Sequence, residues 1–153
     1  MKCDPDPKLH DAGLLVLRAG IGALFVYHGM PKILAGPPRW EALGQAMRFL
    51  GIGFAPTFWG FMAAFSEFFG GIFLVLVICT VPFAGLMAFT MVVAASMHLN
   101  SGQGFSAAAH PIAMAVALVS IMLAGPGSLT LRSTPLCRCR AKTAPPDGTK
   151  AAS

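Results

Sequence analysis

Two charged side chains lie inside stretches of otherwise apolar residues. Arg18 interrupts the run 12–28, and Glu67 interrupts a second run that begins near residue 56. A charge at the centre of a bilayer costs about 2.5–3.5 kcal/mol, so it normally faces the interior of a helix bundle and a partner. Counted along ideal helices, each lies about 15–16 Å from the outer end of its run. We therefore predict that Arg18 and Glu67 pair with each other, and they are our candidate catalytic residues.

Two roles fit such a pair. It could act only as a clamp that holds two helices together, or it could handle protons or bind a ligand. The residues that share a helical face with Glu67 are all small, namely Gly60, Ala63, Ala64, Gly70 and Gly71. Small residues let another backbone approach closely, so we predict that this face is packed. The phenylalanines on the other faces are then expected to meet lipid.

Histidines fall at the ends of the apolar runs. His28 ends the first run, His98 ends the third and His110 opens the fourth, while Lys32 follows His28 by one helical turn. Imidazole in such places can ligate a metal or haem, relay protons or hydrogen-bond a quinone carbonyl. Water and backbone can also satisfy it, which is the interpretation we favour for His110. His28, Lys32 and His98 are our candidate cofactor-binding residues.

Other chemistry has little support in the sequence. CxxCH, HExxH and glycine-rich phosphate-binding motifs are absent, so no hydrolytic zinc site, c-type haem or nucleotide site is predicted. Cys137 and Cys139 form a Cys-Arg-Cys sequence that could be a metal or redox pair, but no second Cys pair or His accompanies it. We expect no catalytic metal.

The composition describes a chain whose main solvent is lipid. Of its 153 residues, 56% are hydrophobic and 11% are charged, against about 25% charged in soluble domains. No Asp, Glu, Lys or Arg occurs between Glu67 and Arg132, although a bilayer helix needs only about 20 apolar residues. The net charge of +5 resides mostly in the tails and one loop, so it is a topology signal, and we predict no nucleic-acid partner. The lipid bilayer is the predicted environment.

These observations predict an all-α integral membrane four-helix bundle. The membrane domain 12–127 would contain helices at about 12–28, 56–80, 82–98 and 110–124. An N-terminal tail, 1–11, would precede it, and a basic C-terminal tail, 128–153, is expected to be disordered. In the first loop, residues 40, 43, 47 and 50 are apolar at helical spacing. They predict a short helix that lies in the membrane interface or packs on the outer ends of the bundle.

The distribution of Lys and Arg predicts the orientation. The two tails together carry more basic residues than the first loop, which contains Lys32, Arg39 and Arg48. Basic segments stay on the cytoplasmic side, so we predict that both termini are cytoplasmic. The expected location is the cell inner (plasma) membrane, crossed several times. The histidines would then lie on the outer side.

An ordered set of residues resembles the DoxX family over about residues 13–131. The set is Arg18, His28-Gly29-Met30-Pro31-Lys32, Glu67 with Gly70-Gly71, His98 and Gly125-Pro126-Gly127. The resemblance implies a four-helix inner-membrane protein related to the membrane subunits of a thiosulfate:quinone oxidoreductase. Other members are linked to a membrane complex with superoxide dismutase and a thiosulfate sulfurtransferase in oxidative stress. The chain departs from the family at Arg132, where an Asp is expected, and in its Cys-Arg-Cys sequence.

Two functions fit these residues and this resemblance. The chain could be a quinone-interacting subunit of an oxidoreductase, which passes electrons from a sulfur compound or thiol to quinone. His28, His98 and Lys32 would then form the outer pocket, and Arg18 and Glu67 would move protons. Alternatively, it could be a non-catalytic membrane scaffold that anchors soluble redox enzymes. Either function implies protein partners, as further subunits or as soluble redox enzymes, and the sequence leaves open whether the chain is itself an enzyme.

Overall fold

The computed structural model describes residues 7–125, and within this range all regular structure is helical. The α-helices are α1 (Pro7–Leu34), α2 (Pro37–Gly44), α3 (Pro56–Val75), α4 (Thr80–Asn100) and α5 (Gly104–Ala124), and a 3-10 helix (Gln45–Leu50) follows α2. Helices α1, α3, α4 and α5 are long and apolar enough to cross a membrane. The predicted all-α protein with four membrane-spanning helices is confirmed. The C-terminal tail, with Cys137 and Cys139, and the first residues of the N-terminal tail lie outside the described residues.

Two helices extend beyond their predicted ends, and each of them contains a proline. Helix α1 continues past His28 and contains Pro31, and α5 begins at Gly104, so that Pro111 lies inside it. A proline in a helix removes one backbone hydrogen bond but keeps a helical φ. In membrane helices, neighbouring groups compensate for the carbonyl that loses its partner. Residues 7–11, predicted as part of a tail, form the beginning of α1.

The turn between α3 and α4 is short because its residues adopt an unusual backbone conformation. Val77 and Cys79 have φ angles of 55° and 47°, in the left-handed region. The amide of Ile78 donates to the carbonyl of Phe73 at 2.9 Å, which reverses the chain directly after α3. The second membrane helix therefore ends at Val75, whereas the sequence predicted an end near residue 80.

The four long helices form a row in the order α1, α3, α4 and α5. Helix α3 packs against α1 and α4, and α4 packs against α5, whereas α1 and α5 approach each other much less closely. Side chains of the first and last helices of the row, α1 and α5, nevertheless share one core. The buried core that joins all four helices consists of Ile21, Phe25, Leu74, Ala84, Met87, Ala88, Met91, Leu118 and Ile121.

Glycines set the closest contact, between α1 and α3. A Cβ on Gly22 would meet the carbonyl oxygen of Gly71 at 2.7 Å, and one on Gly29 would meet the amide nitrogen of Phe68 at 2.5 Å. The small face around Glu67 is thus packed against another backbone, as predicted. Phe58 of α3 is exposed, whereas Phe61, Phe65, Phe68, Phe69 and Phe73 are half-buried, with the ring centroids of Phe65 and Phe69 4.7 Å apart. Their contact with lipid stays a prediction.

The short helix predicted in the first loop is present as α2 and packs on the beginning of α3. A Cβ on Gly60 would collide with the carbonyl oxygen of Trp40, and one on Gly44 would collide with that of Pro56. The Trp40 ring also lies 4.9 Å from Phe61. Of the two placements that the sequence allowed, packing on the end of the bundle agrees with these contacts. Its position in a membrane interface stays a prediction.

We expect Gly60→Ala to destabilise the protein, because the added methyl group has no room between α2 and α3. Overpacking of this kind costs about 1–3 kcal/mol. Gly20→Ala in α1 is the matched control, since a Cβ there meets nothing within 4 Å. Gly20→Ala should leave the free energy of unfolding unchanged or raise it by about 0.5–1 kcal/mol, because alanine favours a helix more than glycine does. Thermal unfolding in detergent measures both, and equal effects would contradict the described contact.

Candidate functional site

A buried ion pair joins α1 and α3. Lys32 Nζ lies 2.5 Å from Glu67 Oε2. The Glu67 side chain is 3% exposed, whereas that of Lys32 is 27% exposed. The carboxylate is therefore inside the bundle, and the long side chain of Lys32 reaches it while keeping some contact with the surroundings, as amphipathic side chains do.

The predicted pairing of Arg18 with Glu67 is wrong. Arg18 is buried, but its Nη2 donates to the carbonyl oxygen of Gly125 at the end of α5. Gly29, not Arg18, packs beside the Glu67 backbone, and Arg18 precedes Gly29 by eleven residues, or about 16 Å along the helix. The error arose because the helix was assumed to end at His28, so the register of α1 against α3 was shifted.

Arg18 joins α1 to α5 at the end of the bundle away from Glu67. A cation beside the last carbonyl groups of a helix interacts favourably with the helix dipole. The contact with Gly125 therefore fits the clamp that the sequence analysis considered as one of two roles. The structure does not place Arg18 at the ion pair.

The ion pair lies on the wall of a cavity of about 180 Å³ between the four long helices. The cavity is lined by Leu24, Phe25, His28, Lys32, Glu67, Met91, Ala94, His98, His110, Pro111 and Met114. The structure thus brings together the candidates His28, Lys32 and His98 with Glu67, and it leaves out Arg18. His110, for which we favoured a passive role, also lines the cavity. Apolar walls with a few polar groups are typical of small-molecule sites.

The histidines contribute different hydrogen-bonding groups. The rings of His28 and His110 are 6.4 Å apart and inclined at 63°, so they meet edge to face. Nδ1 of His98 lies 2.8 Å from the amide oxygen of Gln103. That oxygen only accepts, so Nδ1 donates and Nε2 of the neutral His98 ring is left as an acceptor. Among the described residues, no group of three or more His, Cys, Asp or Glu could hold a metal ion.

Helix α2 supports the ion pair from outside the cavity. Nε1 of Trp40 donates to the carbonyl oxygen of Lys32 at 2.9 Å. This bond satisfies a carbonyl in the last turn of α1, where the helix itself supplies no donor. Because α2 is fixed to α3 by its glycine contacts, Trp40 holds the backbone of Lys32 in place. From the sequence, residue 40 was expected only to belong to the apolar face of the short helix.

The sequence contained one signal for the cavity wall that we missed. Arg18, Ile21, Phe25, His28 and Lys32 follow helical spacing at i, i+3, i+7, i+10 and i+14, so they share one face of α1. Continuing the helix through Pro31 would have placed Lys32 on the same face as His28. The sequence offers no comparable signal for His110, because its place on the cavity wall depends on how α5 lies beside α1.

A family model described as DoxX matches residues 13–100. The chain belongs to the DoxX family. The DoxX match runs from α1 to the end of α4 and contains Lys32, Glu67, His28 and His98, whereas α5 with His110 lies beyond it. No curated protein and no solved structure matches the chain. With its four membrane-spanning helices, this DoxX chain is a multi-pass membrane protein.

Removing either partner of the ion pair should have unequal effects on stability. Lys32→Met leaves the Glu67 carboxylate buried without its cation, and such a loss costs about 3–5 kcal/mol. Glu67→Gln should cost less, because the Lys32 ammonium is partly exposed and can turn to water or lipid headgroups. Reversible unfolding in detergent measures both free energies of unfolding.

The double variant Lys32→Met with Glu67→Gln provides the control for this prediction. Without a buried carboxylate, it should recover much of the stability that Lys32→Met alone loses. If the two single losses simply add, Lys32 and Glu67 are not energetically coupled, and the described ion pair would be contradicted.

Proposed function

We propose that this DoxX protein is a quinone-interacting subunit of a membrane oxidoreductase, in redox or sulfur metabolism or oxidative-stress defence. The observation that carries the proposal is the cavity itself. It lies among membrane-spanning helices and combines an ion pair and three histidines with apolar walls. A quinone headgroup needs apolar walls for its ring and polar side chains for its two oxygens.

The size of the cavity suits a single ring. A cavity of about 150 Å³ in another protein is large enough to bind benzene. The cavity here, at about 180 Å³, leaves space for one six-membered ring with small substituents. A quinone with a single-ring headgroup therefore fits better than one with two fused rings.

The polar groups match both oxidation states of such a ring. The ammonium of Lys32 and an N–H of His28 or His110 can donate to a quinone carbonyl, and Nε2 of His98 can accept from a quinol hydroxyl. Reduction of quinone to quinol takes up two electrons and two protons. Lys32 and Glu67 can pass a proton to a ring oxygen, and His28 and His110 can restore it from the end of the bundle.

The electrons would come from a sulfur compound or thiol that a partner subunit oxidises. Two thiols that form a disulfide release two electrons and two protons, the number that one quinone takes up. The role of this chain is then to hold the ring and to deliver protons to it.

We further propose that the cavity opens toward the outer side of the inner membrane. The start of α1 and the end of α5 lie at one end of the bundle. The cavity lies toward the other end, where the loops α1–α2 and α4–α5 are. The basic tails favour cytoplasmic termini. With the termini inside, the ion pair and the histidines lie in the outer half of the protein.

Quinone binding tests the proposal. In lipid nanodiscs, His98→Ala should weaken binding of a decyl benzoquinone about tenfold, and Glu67→Gln at least as much, because each removes a polar group from the cavity wall. Ser120→Ala is the control, since Ser120 bonds only to its own helix through the Val116 carbonyl. Equilibrium dialysis measures the affinities, and equal binding by parent and cavity variants would contradict the assignment.

The alternative proposal is a non-catalytic scaffold that anchors soluble redox enzymes. It predicts a parent protein that binds no quinone but retains soluble enzymes on purification from mild detergent. In that case the cavity variants should retain the same enzymes as the parent.

A further inference from the structure

We propose that the cavity receives its ligand sideways from the bilayer, between α1 and α5, and that the ligand is a quinone with an apolar tail that lies in this opening. We define the α1/α5 seam as the stretch formed by Leu24 and His28 of α1 with His110 and Met114 of α5. The inference rests on the proposed function and adds the route by which the quinone enters and the place where its apolar tail lies.

The packing of the bundle leaves only one loosely closed side among the four described helices. Gly22 and Gly29 bring α1 against α3, and Gly70 meets the Met87 side chain between α3 and α4. Helices α4 and α5 also pack closely along their length. By contrast, α1 and α5 meet only through longer side chains. Of the contacts between neighbouring long helices, the one between α1 and α5 has the backbones furthest apart, so we assign the passage to the α1/α5 seam.

The contact between α1 and α5 differs between the two ends of the bundle. Away from the cavity, Arg18 donates to the Gly125 carbonyl, and Ile21 belongs to the same core as Leu118 and Ile121. That end is filled. Toward the cavity, the core side chains stop and the open volume begins. The contact between α1 and α5 is thus filled on the Gly125 side of the cavity, and the α1/α5 seam borders the cavity between Leu24 and Met114.

Leu24 marks the mouth of the cavity. It lines the cavity and is also 48% exposed on the outside of the bundle, so its side chain reaches both regions. It precedes the end of α1 at Leu34 by ten residues, or about 15 Å. The apolar span Leu9–Leu34, which is long enough to cross a hydrocarbon core about 30 Å thick, contains Leu24, so we expect Leu24 to lie within that core. A molecule that passes Leu24 therefore comes from the hydrocarbon region.

The route from the end of the bundle is narrower. His28 and His110 face each other across it, and their ring centroids are only 6.4 Å apart. Two rings in edge-to-face contact leave no passage between them for a substituted ring, whereas the imidazoles themselves can relay a proton. Protons and ligand would therefore use different routes. The ring would rest beside Lys32 and Glu67, and its tail would leave past Leu24 and Met114.

Two quinones with the same headgroup test this inference, one without a tail and one with a decyl chain. Leu24→Trp places a large side chain in the mouth and should weaken decyl-quinone binding at least about tenfold, equivalent to losing two buried methylene groups. It should change binding of the tailless quinone less than about twofold. Val116→Trp is the control, because Val116 is 62% exposed on α5 and does not line the cavity. Each comparison is made within one ligand, which removes differences in lipid partitioning.

A second measurement on the unaltered protein avoids any folding defect of Leu24→Trp. A decyl quinone that carries a photoreactive diazirine at the end of its tail should label α1 near Leu24 and α5 near Met114. Labelling confined to the loop end of the bundle, or equal weakening of both quinones by Leu24→Trp, would overturn lateral access. Quinone binding that depends on Glu67 would then still support the proposed function. A parent protein that binds neither quinone overturns both.

Discussion

The carboxylate of Glu67 inside a lipid-embedded bundle imposes the main constraint on this structure. A buried charge is tolerated only beside a partner, and here the partner is Lys32, 2.5 Å away. To bring Lys32 there, α1 must continue through Pro31, and its backbone must lie close to α3, which Gly29 allows. The Trp40 bond to the Lys32 carbonyl then fixes the last turn of α1. The ion pair thus determines the length of α1, its distance from α3 and the position of α2.

The same packing explains where the cavity lies. Glycines on the α1–α3 contact bring those backbones together, and no equivalent small residues bring α1 against α5. Large side chains and the Arg18 contact fill the α1–α5 side at one end, and polar residues surround an open volume at the other. The cavity is therefore a consequence of tight packing elsewhere in the bundle. Its polar wall includes Glu67 because the face of α3 that packs on α1 also borders this volume.

Much of the fold could be read from local sequence. Apolar length predicts the four membrane helices, and the small residues around Glu67 predict the packed face of α3, because both depend on one helix at a time. The partner of Glu67 could not be predicted in this way. It depends on the register between two helices, and that register changed once α1 continued past Pro31. The role of His110 likewise depends on how α5 lies beside α1, which no pattern within α5 encodes.

Arg18 and Lys32, both on α1, differ in what their surroundings allow. Arg18 bonds to a backbone carbonyl at a helix end, so its contact can hold α1 to α5, and it does not line the cavity. Lys32 meets a carboxylate on the wall of a cavity beside three histidines. A buried ion pair usually adds little net stability compared with apolar residues of the same volume. Stability alone therefore gives no reason for a charged pair at this position, whereas the proposed delivery of protons to a ligand in the cavity would give one.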